Sequence, residues 1–311
     1  YQGTPTQCTN GEEHNCVPTA PNYDQCQRGP FHQYGGMAWI PSNKISLYGC
    51  TGKAAYMAMG YGPTKTGTWF NDEWLWCMKS SDASYGKMLR LDLTAVDSGG
   101  TFPTINETAQ DPIADWDETS STIWIAFGRS AAIELWERDF KSGANNRDKR
   151  TSFATGGITT GAMGVIDQAT HQLITWERYG SANYKMRAIN LGSPYTVNTP
   201  FLDSGSGCSL MTTAEGATFS GYYPGMAWNP DKGVVAVYPN HTSARGKIWE
   251  VKPDGTCNEI TITGSIPNST VASNGIYQRL SYDRAQHVYV LIPTAVNVQQ
   301  VAICTNPGGC P

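Results

Sequence analysis

Five stretches of this chain repeat one pattern: an apolar approach, an aromatic or aliphatic anchor, a polar turn and then an alternating apolar strand. They read GGMAWIPSNKISLYG from Gly35, DPIADWDETSSTIWIAFG from Asp111, TGAMGVIDQATHQLITWE from Thr160, PGMAWNPDKGVVAVY from Pro224 and YQRLSYDRAQHVYVLI from Tyr277. The anchors compared are Trp39, Trp116, Val165, Trp228 and Tyr282. Repeats of this size are single supersecondary units that bury an apolar face only by stacking on their neighbours. Alternation with period two makes each copy a hairpin, with Pro, Asp, Asn or Ser at its turn.

A further strand follows most copies: WLWCM at Trp74, IELWERDF at Ile133, YKMRAINL at Tyr184, KIWEVK at Lys247 and QQVAIC at Gln299. Each unit therefore reads as an antiparallel sheet of three to four strands. Anchor spacing is uneven, on the order of 50 to 75 residues, which suits blades carrying insertions better than a solenoid of fixed period. The expected insertions are Thr51–Thr68, Ser142–Gly157 and Gly192–Ser220.

These features predict an all-β chain forming a single β-propeller of five blades, with Gly192–Ser220 leaving room for a degenerate sixth. A β-sandwich is the rival, but sandwiches do not usually repeat an anchor, turn and strand. The last copy shows three strands, so an N-terminal strand is expected to complete its sheet and close the ring. Residues 1–30 then form a disulfide-bearing segment that packs on or closes the ring, and residues 31–311 form the propeller.

A net charge of -4 and a pI near 5.7 provide no basic excess for phosphates, so nucleic acid is not an expected partner. No stretch reaches the roughly 18 apolar residues of a membrane span. Nine cysteines without a C-x-x-C pair point to disulfides and secretion rather than to zinc or haem. Proximity suggests Cys50 with Cys77, Cys208 with Cys257, Cys304 with Cys310, and two of Cys8, Cys16 and Cys26, which leaves one cysteine for a buried thiol or self-association. Sequons at Asn106, Asn240 and Asn268 and a start at Tyr1 rather than Met agree with a processed, secreted glycoprotein.

The first copy, GMAWIPSNKISLYGCTG followed by NDEWLWCM, resembles a kelch repeat. The whole resembles secreted bacterial galactose-oxidase-like kelch propellers through His32-Gln33-Tyr34-Gly35-Gly36 and Asn274-Gly275-Ile276-Tyr277-Gln278-Arg279. Elsewhere the family's paired glycines are replaced, as at Ala126-Phe127-Gly128. The resemblance implies fold more strongly than activity, and none of the five histidines lies in a recognisable copper motif.

Positions at one offset before each anchor lie at one height around a propeller axis. Five residues before the anchors stand Tyr34, Asp111, Thr160, Tyr223 and Tyr277, with His32, Tyr222 and Arg279 close by. This set is expected to ring the channel mouth as a polar, aromatic surface for a polysaccharide or other glycan. If the protein is an enzyme, His32 or Tyr34 would act as base, Tyr277 as acid and Arg279 as the partner of a uronate, which resembles β-elimination in propeller lyases. The structural alternative has His32 and Tyr34 satisfying backbone groups and Arg279 pairing with an aspartate.

Other candidates have plainer explanations. Asp115 and Asp117 flank Trp116 at a hairpin turn and suit turn formation better than glycosidase chemistry, while Glu134 and Glu137 should point to opposite faces of a strand. The histidines at 14, 32, 171, 241 and 287 are scattered, so no cofactor or metal is expected beyond room for a structural calcium in the channel. His171 and His287 fall in equivalent turns and are expected at the surface. Packing is expected to account for Trp39, Trp116 and Trp228, whereas Trp69, Tyr56 and Tyr61 lie in an insertion and are freer to bind a ligand.

Three functions follow: a carbohydrate-binding or surface-recognition module, a polysaccharide-active enzyme (uronate lyase before glycoside hydrolase), and a structural subunit of an extracellular assembly.

Overall fold

A computed structural model describes residues 36–59, 72–86, 88–91, 95–102, 112–129, 132–140, 143, 145–154, 162–179, 183–198, 224–239, 247–262, 279–292 and 301–304. These residues form five sheets, each from one consecutive stretch of chain. The first holds β1 (Met37–Ile40), β2 (Ala54–Met59), β3 (Asp72–Cys77) and β4 (Met88–Arg90). In the second, β6 (Ile113–Asp117), β7 (Thr122–Arg129), β8 (Ala132–Asp139) and β9 (Asn146–Phe153) run antiparallel, and β5 (Val96–Ser98) pairs parallel with β9. The third is β10 (Met163–Asp167), β11 (Gln172–Tyr179) and β12 (Asn183–Asn190). The fourth is β13 (Gly225–Asn229), β14 (Val234–Tyr238), β15 (Lys247–Val251) and β16 (Cys257–Thr261), and the fifth is β17 (Leu280–Asp283), β18 (Val288–Leu291) and β19 (Val301–Cys304).

This is the blade organisation of a β-propeller, as the repeat predicts. The chain divides into two compact units, residues 1–158 with the first two sheets and residues 159–311 with the other three. Within each unit the first strand of a sheet lies beside the first strand of the next: β1 by β6, β10 by β13, and β13 by β17. Any N-terminal strand completing the fifth sheet lies outside the described residues.

One local device produces the repeat in four of the sheets. Asp117, Asp167, Asn229 and Asp283 end the first strand, and each side chain accepts the backbone N–H groups two and three residues on. The fourth residue on, Ser121, His171, Gly233 or His287, takes a left-handed φ of 54–62° and turns the chain into the second strand. Histidine is among the side chains that tolerate this conformation, which explains its place in two of these turns. The turn also corrects the third anchor, because the residue equivalent to Trp116 is buried Ile166 rather than Val165.

The first sheet departs from the expected hairpin. ISLYG does not pair with β1, whose partner is Ala54–Met59, so most of the supposed insertion at Thr51–Thr68 that is described is strand β2. Ile45 and Leu47 are buried in a loop that hydrogen-bonds through Ser46 N–H to Phe140 O, and left-handed Tyr48 and Gly49 prevent an extended run. The expected Cys50–Cys77 disulfide ties this loop to β3, and Cys257 is also disulfide-bonded. The supposed insertion at Ser142–Gly157 likewise contains β9, whose sequence NRDKRTSF has too little apolar alternation to reveal a strand. Gly36 is required where it stands, since a Cβ there would lie 2.1 Å from Ala58 O, in the backbone that pairs with it.

Between the first two sheets lies a core that includes Ala38, Ile40, Tyr56, Leu75, Trp116, Ile123, Ile125, Phe127, Trp136 and Phe140. Buried in it is an ion cluster. Arg138 on β8 grips Glu73 on β3 through Nε and Nη2, both at 2.9 Å, and Arg147 on β9 donates to Glu73 at 3.0 Å and to Asp97 on β5 at 2.5 Å. Tyr56 OH donates to Glu73 at 2.5 Å. The guanidinium groups also lie over aromatic rings, Arg138 over Phe140 and Arg147 over Phe102. Two carboxylates and two guanidiniums cancel in charge, which makes burial tolerable. Tyr56, expected to be free for a ligand, is fully buried in this cluster.

Burial, reinforced by the Glu73 charge, raises the Tyr56 phenol well above its ordinary pKa. Burial opposes the charge on Arg147, but Glu73 and Asp97 outweigh it and hold the guanidinium above its ordinary value. Replacing Glu73 by Leu leaves two buried guanidiniums without their shared partner and should cost about 3–5 kcal/mol in urea unfolding; a loss under about 1 kcal/mol would show the cluster to be dispensable. A raised phenol pKa stabilises the fold below the unfolded value, so stability should fall as pH rises above about 10, where unfolded tyrosine ionises. Tyr56→Phe should make that alkaline fall shallower, measured by urea titration across the same pH range.

Candidate functional site

In an antiparallel ladder, directly opposed residues project from the same side of the sheet. In the first sheet Trp39 on β1 pairs with Ala55 on β2, and Ala55 pairs with Trp76 on β3. The three form one row across the strands. Trp39 is 55 % and Trp76 41 % exposed, while Ala55 between them is 1 % exposed. The next row on this side, Met37, Met57 and Trp74, is packed together, with Trp74 buried. Lys53, two residues before Ala55, and Met78, two residues after Trp76, extend the same side, and Lys53 O accepts the Met78 N–H at 2.8 Å. The opposite side, with Ala38, Tyr56 and Leu75, is the one committed to the second sheet.

The equivalent row is filled differently in the other sheets. It reads Trp116–Ile123–Arg138, Ile166–Leu173–Ile189, Trp228–Val235–Val251 and Tyr282–Tyr289–Ile303. Apart from Tyr282, which is half-buried, all of these side chains are buried. Packing therefore accounts for Trp116 and Trp228 as expected, but not for Trp39. In the first sheet the middle residue shrinks to alanine and the outer two are solvent-facing indoles.

Beside this platform, Tyr85 is also exposed, in a turn whose Gly86 N–H bonds to Cys77 O. Asp82 in the same turn holds the loop after the Cys50 disulfide, accepting Thr51 N–H at 2.7 Å, Thr51 Oγ1 at 2.6 Å and Gly52 N–H at 2.8 Å. Desolvation works to raise the Asp82 carboxyl, but these bonds and nearby Lys79 outweigh it and hold the pKa below the ordinary carboxylate value.

A second cluster of chemistry-bearing groups joins the fourth and fifth sheets. Asp231 accepts the Tyr282 hydroxyl and lies 2.5 Å from His287 Nδ1, and the Tyr282 hydroxyl, followed by His287, lowers its pKa. Asn229 donates to Tyr289 OH at 2.8 Å, Tyr289 donates to Glu250 at 3.0 Å, and Lys232 pairs with Glu250 at 2.8 Å. These bonds run from the turn and third strand of one sheet to the hairpin of the next. They serve to clamp the sheets together.

Three of the carboxylates weighed for glycosidase chemistry have partners within their own sheet. Asp117 caps its turn, Glu134 binds Lys149 and Trp136 Nε1, and Glu137 binds Thr122 and Arg150. No group of three or more His, Cys, Asp and Glu side chains suited to a metal occurs among the described residues. Of the residues expected at the channel mouth, His32, Tyr34, Asp111, Thr160, Tyr222, Tyr223 and Tyr277 lie outside the described residues, as do Trp69, Tyr61 and the three sequons. Arg279 is described: it precedes β17, half-buried, and its carbonyl accepts Ile292 N–H at 2.9 Å. Among the described residues no helix is long and apolar enough to cross a membrane.

No family model and no curated protein matches the chain. Among solved structures it is similar to a chain of the nidogen/laminin complex, with 10 % identity, a TM-score of 0.45, and coverage of 87 % of this chain and 80 % of that one. It is also similar to TolB from Acinetobacter baumannii, with 12 % identity, a TM-score of 0.43, and coverage of 90 % and 53 %. An exo-β-1,3-galactanase from Phanerochaete chrysosporium with galactose gives 14 % identity, a TM-score of 0.39, and coverage of 73 % and 51 %. The chain spans about half the length of the last two. Its blade organisation is read from its own sheets.

If the exposed pair is not part of the packing, Trp39→Ala and Trp76→Ala should each change stability by no more than about 0.5 kcal/mol. Trp74→Ala, in the buried neighbouring row, should cost about 3–5 kcal/mol. Urea unfolding of the three variants checks this, and a loss at Trp39 or Trp76 as large as at Trp74 would contradict it.

Proposed function

We propose that this protein is a secreted carbohydrate-binding protein that holds glycans on the exposed Trp39–Ala55–Trp76 row of its first sheet. The observation that carries the reading is a pair of solvent-facing indoles at a position that is buried or half-buried in every other described sheet. Indole faces stack on the C–H faces of sugars, and the indole N–H remains available to a hydroxyl group. Two rings fixed on a sheet lose little freedom on binding, which favours affinity from few contacts.

Size separates a small ligand from a protein partner. The exposed fractions of Trp39 and Trp76 together amount to about one whole indole side chain, roughly 250 Å² at most. A stable protein interface takes about 800 Å² from each partner. Secretion is supported by the disulfides at Cys50–Cys77 and Cys257, since such bonds persist in oxidising compartments.

Glycan-array binding by the folded wild type should be lost, at least tenfold, in the Trp39→Ala/Trp76→Ala double variant. Binding that survives the double variant would move the site elsewhere. Release of reducing ends from the bound glycan would mark an enzyme rather than a binding protein.

A further inference from the structure

Resting on the glycan reading above, the charge beside the two indoles specifies the kind of sugar they take. Ala55 is 1 % exposed, so the surface a ligand meets is made of the indoles themselves. The next position along the central strand on this side is Lys53, opposite Met78. Lys53 is diagonal to both Trp39 and Trp76, and diagonal neighbours on one side of an antiparallel sheet lie roughly 7–8 Å apart. An ammonium on a four-carbon stem spans most of that distance, so a ligand on either indole is within its reach. Lys53 is exposed, and among the described residues no ion pair, side-chain hydrogen bond or ring contact engages it.

In the other four sheets the residue at this position is the left-handed member of the Asx turn, Ser121, His171, Gly233 or His287. The first sheet instead reaches Lys53 through a loop fixed by the Cys50–Cys77 disulfide and by Asp82, which accepts the Thr51 and Gly52 N–H groups. The carboxylates described nearby are committed elsewhere. Glu73 is buried on the opposite side of the sheet with Arg138 and Arg147, and Asp82 has Lys79 as its cation, 3.8 Å away. A chain of net charge -4 thus places a cation without an ion pair beside its two exposed indoles.

We infer that this surface selects acidic glycans, with a uronic acid stacked on the indoles and its carboxylate paired with Lys53. A uronate carboxylate is attached directly to a ring carbon, at the edge of the face that stacks. Its charge therefore stays close to the indole and falls to an ammonium one row away. A neutral sugar offers Lys53 only a hydroxyl oxygen, whereas a carboxylate gives the shorter and stronger charge-assisted bond.

The test is calorimetric titration with trimers of galacturonate, mannuronate and guluronate, each beside its methyl ester, which keeps the sugar and removes the charge. Wild type, Lys53→Met, Lys53→Arg, Lys252→Met and the Trp39→Ala/Trp76→Ala double variant would be compared after each is shown to be folded by its unfolding transition. In at least one series the acid should bind wild type about threefold to tenfold more tightly than the ester, the size of one exposed charge-assisted contact. Lys53→Met should remove that preference without weakening the ester, and Lys53→Arg should restore it. Lys252→Met changes net charge equally but lies in another sheet, and should leave the preference intact. Raising ionic strength from about 0.1 M to about 1 M should shrink it, because the screening length falls from about 10 Å to about 3 Å. Equal binding of acid and ester, lost in the double tryptophan variant, would overturn the acidic selectivity and leave the glycan reading standing. A preference that survives Lys53→Met, or acid binding that survives the double variant, would overturn the pairing with Lys53. Silence toward every trimer, with array binding to neutral glycans alone, would overturn only the acidic class; silence on the array as well would overturn both readings.

Discussion

The bidentate pairing of Arg138 with Glu73, joined by Arg147, Asp97 and Tyr56, is the constraint on which the first half of the molecule depends. These residues come from β2, β3, β5, β8 and β9 and meet inside the core between two sheets. Replaced by apolar residues of similar volume, such a cluster often proves no more stabilising than ordinary packing, because desolvation offsets the attraction. Its effect lies in selectivity. A one-residue slip of β3 would carry Glu73 to the other side of the sheet and strand two guanidiniums in the core. The cluster thus favours one register for β3, and with it the side from which Trp76 projects.

Register decides which surfaces are left for function. One side of the first sheet packs on the second, and the alternation of β-structure sends every second residue the other way. In the remaining sheets the row equivalent to Trp39 is filled by residues such as Ile, Leu and Val. In the first sheet the chain places tryptophan, alanine and tryptophan there, and a packing position becomes a platform. The fourth and fifth sheets solve the same packing problem with the buried Asn229–Tyr289–Glu250 chain and the exposed Asp231 contacts.

Much of the fold was legible in the residues, and for a physical reason. The Asx turn leaves Asp or Asn at a fixed distance before a left-handed residue, and the strands beside it alternate, so four hairpins and the strands that include Trp74, Ile133, Tyr184, Lys247 and Val301 could be read directly. What escaped was what does not alternate. β9 is a polar strand held between β8 and β5, and β2 hides beyond a long loop in which ISLYG imitates a strand. The ion cluster escaped because its members lie 65 and 74 residues apart and each looks like an ordinary surface charge. The platform escaped for the opposite reason: Trp39 matches the packing anchors Trp116 and Trp228 in sequence, and only its pairing with small Ala55 and exposed Trp76 sets it apart.

The most direct measurement is the indole N–H region of a proton–nitrogen correlation spectrum, recorded on the folded protein while a bound oligosaccharide is titrated in. The chain has ten tryptophans, whose signals can be assigned by single Trp→Phe substitutions. The platform account predicts that the signals of Trp39 and Trp76 shift together and saturate at one ligand per chain, while buried Trp136, Trp176 and Trp249 stay in place. Saturable shifts at other indoles, such as Trp69, with Trp39 and Trp76 unmoved would contradict it.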